Sequence, residues 1–200
     1  GGKPILERLF EQLVDLGFRN FYLATHYKAE MIEEYFGDGS KWGVEIEYLR
    51  ENQPLGTAGA LSLLECSTLL PLIITNGDVL TDIRYGEIID FHSSQKANAT
   101  MAVRKHQWEN PFGVVKTSGV ELIGFEEKPI ISSHINAGIY VLDPVILSEL
   151  NQNEYCDMPT LFSRVKESNL RTIVYPMHEP WLDVGRHDDL KKAQKVHSKK

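Results

Sequence analysis

Cysteine is scarce in this sequence, with Cys66 and Cys156 the only two. Two thiols build no disulfide framework, and their spacing matches no zinc site. They are read as small reduced side chains, which points to a cytoplasmic address. Long apolar runs are also missing. No stretch approaches the roughly 20 residues that a membrane helix needs, which excludes a helical transmembrane protein. No basic segment followed by an apolar core is seen in the first residues, so no secretory leader is expected. Positive charge is in deficit, with 21 basic against 28 acidic residues and a net charge of −7. Nucleic acid and anionic lipid are gripped by excess positive charge, so neither is expected as the main partner. Phosphate ligands stay open, because they need only a few local donors.

Several catalytic signatures are absent as well. The seven histidines are scattered, with no H-E-x-x-H pair. There is no G-x-S-x-G elbow and no G-x-x-x-x-G-K-[ST] loop. Gly37, Gly39 and Gly43 come after a helical segment at the wrong spacing for a dinucleotide fingerprint. The lysines at 191, 192, 195, 199 and 200 suit a helix end and tail better than a binding patch. What is present is ordinary for one globular domain: 200 residues, 42% hydrophobic and 24% charged.

The hydrophobic pattern alternates between two periods. Ile5, Leu6, Leu9, Phe10, Leu13 and Leu16 recur at helical spacing, with Pro4 at the start and Gly17 at the stop. Further helices are expected over 28–36, 56–65, 84–95, 158–167 and 187–196, with one opened by Asp143-Pro144. Strands are expected over 20–25, 44–48, 72–75, 99–104, 136–142 and 172–175. Residues 113–116 and 122–126 flank Thr117-Ser118-Gly119 and read as a hairpin. Strands alternating with helices predict an α/β fold, a mostly parallel sheet with helices on both faces and one antiparallel element. Ligands of such sheets bind outside the carboxyl ends of the strands, so the loops there carry the weight.

Four loops qualify. Gln53 to Ala60 places Gly56 and Gly59 between a strand and a helix. Glycines there either admit a ligand to the backbone or simply allow tight packing. Thr75-Asn76-Gly77-Asp78 puts a carboxylate after a buried strand. Asp78 is either an oxygen ligand for a hard cation such as Mg2+ or a turn aspartate. Trp181-Leu182-Asp183-Val184-Gly185-Arg186 again sets an acid near a glycine. Two such acids in one crevice suit Mg2+, which takes one or two carboxylates plus phosphate oxygens. In Phe125-Glu126-Glu127-Lys128-Pro129, Glu127 suits sugar hydroxyls and Lys128 a phosphate, unless both are a solvated strand end.

Taken in order, these pieces resemble the sugar-1-phosphate nucleotidyltransferases, of the mannose-1-phosphate guanylyltransferase and glucose-1-phosphate thymidylyltransferase type. The matching stretches are Gly2-Lys3-Pro4-Ile5-Leu6, Gln53 to Ala60, Asn76-Gly77-Asp78, Pro111-Phe112-Gly113-Val114-Val115, Glu126-Glu127-Lys128-Pro129, Asn136-Ala137-Gly138-Ile139-Tyr140 and Trp181 to Arg186. Each is weak alone, and together they span nearly the whole chain. The resemblance implies a Rossmann-like three-layer sandwich with a mixed, mostly parallel sheet. It implies a reaction in which a sugar 1-phosphate oxygen attacks the α-phosphate of a nucleoside triphosphate, giving an NDP-sugar and pyrophosphate. It implies that Asp78 and Asp183 hold Mg2+, with Lys128 on the sugar phosphate as the third catalytic residue. It further implies that Gln53, Gly56 and Thr57 meet the nucleotide, and that Gly113, Glu127 and Asn136 hold the sugar.

One departure stands out. The family's G-G-x-G-T-R-L loop, with its first strand, is not found here, and Gly1 to Pro4 resembles the family segment on the C-terminal side of that loop. Lys3 is therefore not the family's phosphate-binding lysine. The expectation is a single nucleotidyltransferase domain over 1–200 lacking that strand and loop, and inactive or nearly so by itself. Relatives of this style often carry a pair of CBS domains upstream, which is expected of a longer chain here, as is a homo-oligomer. A guanylyl-type enzyme acting on a mannose, glucose or glucosamine phosphate is the leading reading. A silent regulatory paralogue that binds an NDP-sugar is the alternative, and the retained Asp78 and Asp183 weigh against it.

Overall fold

The computed structural model describes residues 3–65 and 69–185. The chain begins with helix α1 (Ile5–Asp15), which buries Leu9, Phe10 and Leu13 along one face. It ends in a Schellman turn, in which Phe18 N–H donates to the Leu13 carbonyl and Gly17 N–H to that of Val14. Gly17 takes φ +96°, which a side chain would resist. Strand β1 (Asn20–Thr25), helix α2 (Ala29–Phe36) and strand β2 (Glu45–Arg50) come next, and β1 pairs with β2 in parallel. Then come the short helix α3 (Gly56–Gly59), strand β3 (Leu72–Thr75), strand β4 (Val79–Thr81) and helix α4 (Tyr85–Ser94). Strands β5 (Ala99–Glu109), β6 (Val114–Ser118), β7 (Glu121–Glu126) and β8 (Ile130–Leu142) make up the middle of the chain. Helix α5 (Met158–Glu167), strand β9 (Thr172–Met177) and strand β10 (Trp181–Asp183) complete it.

The central sheet has the order β3-β8-β5-β9. Strands β3, β5 and β9 run one way, and β8 runs against them between β3 and β5. The sheet is therefore mixed, with most strands pointing in the same direction. Its two faces are read directly from β8, whose residues 137–142 are all buried. Ile139 and Val141 face α1 and α4, packing with Leu9, Leu13, Tyr85 and Ile88. Tyr140 and Leu142 face the other way, onto Met158, Leu161 and Val165 of α5. Alternation along one strand thus builds helix, sheet and helix layers. A third, smaller cluster joins Phe10 of α1 to Phe36 of α2 and Val44.

Most expected elements are present, and the differences are physical. The region expected as a helix over 56–65 is four residues of α-helix and then a 3-10 turn, Ala60–Leu63. The segment opened by Asp143-Pro144 is also a 3-10 turn, Pro144–Glu149. Strands β5 and β8 run well past the expected 99–104 and 136–142. Lys105 to Glu109 pair with Ile130 to His134 outside the core, so the ladder there rests on backbone bonds that side-chain periodicity does not report. The three-residue strands β4 and β10 are too short to show a period. Gly1, Gly2, Cys66, Arg186, the terminal lysines and the expected helix 187–196 lie outside the described residues.

Candidate active site

Strand β3 delivers Asn76-Gly77-Asp78 at its carboxyl end, and Val79 begins β4. Strand β10 lies antiparallel to β4, with Asp183 opposite Val79. The ribbon is closed by Val184 N–H, which donates to the Asp78 carbonyl at 3.0 Å. This register brings two acids that are distant in sequence to one point. A Cβ placed on Gly185 would lie 2.8 Å from Asp78 Oδ2 and 3.1 Å from Asp183 Oδ1, so both carboxylates converge over that glycine. Gly185 N–H donates to Asp183 Oδ1 at 2.9 Å. Burial first, and the negative charge of Asp183 second, push the Asp78 carboxyl above its usual range. Two partly desolvated like charges with one backbone donor between them form an anion pair in want of a cation. The pair fits Mg2+, which accepts few protein carboxylates and fills its shell with water and phosphate oxygens. No cluster of three or more metal-ligating side chains occurs among the described residues.

The strand next to β3 is locally deformed at this point. Met101 pairs with Tyr140 and Val103 with Asn136, so β8 spends four residues where β5 spends two. The resulting bulge centres on Gly138, at φ +73°. Its carbonyl accepts from Asn76 N–H at 2.9 Å, and a Cβ on it would meet the Asn76 amide nitrogen at 2.8 Å. Asn136 sits at the bulge entrance, where its Oδ1 accepts from Gly138 N–H and its Nδ2 donates to the Tyr140 hydroxyl at 2.7 Å. Burial pushes the Tyr140 hydroxyl above its ordinary value, which keeps it neutral. Asn136 and the carboxylate pair are therefore linked through Gly138 and Asn76.

The other expected residues form two further groups. Gly113 and Glu127 meet on the arm that β5 and β8 extend beyond the core, where a Cβ on Gly113 would lie 3.0 Å from Glu127 Oε2. Lys128 takes φ +44° in the turn before β8, and its ammonium has no ion pair or hydrogen bond among the described residues. The loop of Gln53, Gly56 and Thr57 is bound to the protein's own segment 153–158. Gln53 Nε2 donates to the Asn153 carbonyl at 3.3 Å, and Thr57 Oγ1 accepts from Met158 N–H at 2.9 Å. A Cβ on Gly56 or Gly59 would lie 2.6 Å from the carbonyl oxygen of Cys156 or Glu154 respectively. Close approach of backbone to backbone accounts for these two glycines. Sequence reasoning missed Arg104, whose Nη1 donates to the Trp181 carbonyl at 2.8 Å. It carried no signal, whereas the bulge at Gly138 was also missed and had one, a lone glycine inside a strand.

In a layered α/β sheet, strand ends such as those that present these two converging carboxylates are where ligands bind. All 200 residues match the family described as Nucleotidyl transferase, and the chain belongs to that family. It is 32% identical over 201 residues to the mannose-1-phosphate guanyltransferase of Yarrowia lipolytica, covering 94% of this chain and 54% of that protein. It is 32% identical over 194 residues to the mannose-1-phosphate guanylyltransferase catalytic subunit beta of Drosophila melanogaster, covering 94% of this chain and 52% of that one. The chain thus spans about half the length of these relatives. Among solved structures, a Bacillus anthracis protein assigned as a glucose-1-phosphate thymidylyltransferase, in complex with sucrose, superposes with a TM-score of 0.75 at 21% identity. That match covers 98% of this chain and 83% of the other. HddC from Yersinia pseudotuberculosis, complexed with GMP-PN, gives 0.71 at 22% identity, covering 98% and 86%. These structures share the fold. Among the described residues, no helix is long and apolar enough to cross a membrane.

Proposed function

We propose that the whole protein joins a sugar 1-phosphate to a nucleoside triphosphate, releasing pyrophosphate, and that GTP and a hexose 1-phosphate such as mannose 1-phosphate are its substrates. The observation that carries this reading is the convergence of Asp78 and Asp183 over Gly185. The relatives named above, which are mannose-1-phosphate guanylyltransferases, support the choice of base and sugar. Asp78 and Asp183 would hold Mg2+, which when bound neutralises phosphate charge during transfer. Lys128 offers the sugar phosphate a cation that is unpaired among the described residues. Glu127, set against Gly113 where a side chain would crowd it, offers acceptors to sugar hydroxyls. Asn136, tied to the carboxylate pair through Gly138 and Asn76, is also assigned to the sugar. Gln53, Gly56 and Thr57 are assigned to the nucleotide, on a loop packed against segment 153–158. The cytoplasm is the proposed compartment, with Cys156 a buried free thiol.

The proposal extends to residues 1–200 taken alone, which we assign no turnover. The loop G-G-x-G-T-R-L is not among them. Pyrophosphate release by the full-length protein, measured over a panel of nucleotides and sugar 1-phosphates with and without Mg2+, tests the whole reading. GTP with mannose 1-phosphate is expected to be fastest. Asp183→Asn is expected to lower kcat by roughly 100-fold or more with the fold intact. Unchanged turnover in that variant would remove the metal assignment. Tight Mg2+-dependent GTP binding by residues 1–200 would remove the claim that they need the missing loop.

A further inference from the structure

Asp183 stands on a strand that is poorly anchored by its own ladder. Strands β4 and β10 have three residues each and form a sheet of their own, separate from the central one. So short a ribbon has few backbone bonds to fix its placement. Among the described residues, two side-chain hydrogen bonds tie it to the central sheet, and both act on Trp181, which lies two residues before Asp183 and whose ring also packs against the core. The indole Nε1–H of Trp181 donates to the Ala137 carbonyl at 2.8 Å, within the β8 bulge. The Trp181 carbonyl accepts from Arg104 Nη1 at 2.8 Å, and Arg104 belongs to β5. The Arg104 guanidinium also lies over the Trp181 ring, 5.9 Å from its centre. Arg104 is half-buried and makes no ion pair among the described residues. Its donor is therefore charged, partly desolvated and directed at a backbone carbonyl, the stronger kind of hydrogen bond.

We propose that Arg104, acting through Trp181, is a positioning residue that sets the distance of Asp183 from Asp78 and so tunes the carboxylate pair for a small divalent cation. This rests on the reading of that pair as a Mg2+ site. The physical ground is that successive residues of a strand move as one unit. A shift of Trp181 is passed to Asp183, while Asp78, which meets the ribbon through Val184 N–H, has a second anchor in the Asn76 N–H bond to the Gly138 carbonyl. Mg2+ demands near-ideal octahedral geometry at about 2.0–2.1 Å, whereas Ca2+ tolerates about 2.3–2.6 Å and irregular shells. Loosening the clamp should therefore harm Mg2+ more than Ca2+. The partners that orient a metal ligand typically contribute roughly 10–100-fold in affinity.

The test is Mn2+ binding to the full-length protein, followed by electron paramagnetic resonance, with Mg2+ and Ca2+ as competitors and thermal melting alongside. Asp183→Asn is expected to abolish Mn2+ binding. Arg104→Ala is expected to weaken Mg2+ competition about tenfold, with a smaller loss for Ca2+. Arg104→Lys, which keeps one charged donor, should recover part of that loss. Trp181→Phe, which keeps a ring and loses the indole N–H, should shift the Mg2+ to Ca2+ ratio in the same direction, and it guards against an Arg104→Ala protein that does not fold. If Asp183→Asn abolishes binding and both clamp variants compete like the parent, the positioning role is overturned and the metal reading stands. If Mg2+ and Ca2+ are lost equally together with the melting temperature, Arg104 is merely structural and the proposal is likewise overturned. If Asp183→Asn binds Mn2+ like the parent, the metal reading fails, and the proposal with it.

Discussion

Asp78 is half out of water and beside a second carboxylate, and both conditions oppose its charge. Its folded-state affinity for a proton is therefore above that of the unfolded chain. In the window between the ordinary carboxylate value and the raised one, the folded state binds more protons, so stability falls as pH rises through it. The penalty is fully present at neutral pH and absent once both states are protonated. Asp78→Asn is thus expected to raise the melting temperature of the metal-free protein at pH 7, and the gain should vanish under acid conditions. Melting curves taken across that range with a chelator present check the sign, and a gain that grows in acid would contradict it. Both acids were legible in the sequence as carboxylates at strand ends beside glycines. That they share one crevice was expected, through the family resemblance above all; the geometry that brings them together depends on the register of β10 against β4.

At the scale of elements, glycines separate packing from ligand binding. Gly56 takes φ +79°, and a Cβ there would lie 2.6 Å from the Cys156 carbonyl. Backbone cannot yield as a side-chain tip can, and a positive φ adds its own strain. Gly56→Ala is therefore expected to destabilise the protein by about 1–3 kcal/mol, read from the midpoint of urea unfolding. A stability equal to the parent would show that the 53–60 loop is free of segment 153–158. The sequence placed this loop between a strand and a helix that it drew too long, and it left two meanings for its glycines. The structure supplies the packing meaning. Strands β5 and β8 teach the converse lesson. Their outer halves carry Lys105, His106, Gln107, Ser132 and Ser133, which no periodicity marks as strand. They pair because the inner halves are already held by the core.

At the scale of the whole molecule, the two layers of core share one strand. Ile139 and Leu142 are both fully buried on β8 and face opposite layers. Ile139→Ala and Leu142→Ala are each expected to cost about 2–5 kcal/mol. Both should still give a single unfolding transition, because loss of β8 removes both faces together. Separate transitions by fluorescence and circular dichroism would refute that cooperativity. Local sequence determined the class of this fold, since periods of 3.6 and 2 residues are written in neighbouring side chains and require no partner to be read. Motif order likewise carried the family. Only the tertiary structure decided how the two acids meet, where β8 bulges and that Arg104 holds the strand of Asp183. Those facts arise from contacts between residues tens of positions apart, whose spacing along the chain carries no trace of the pairing that unites them.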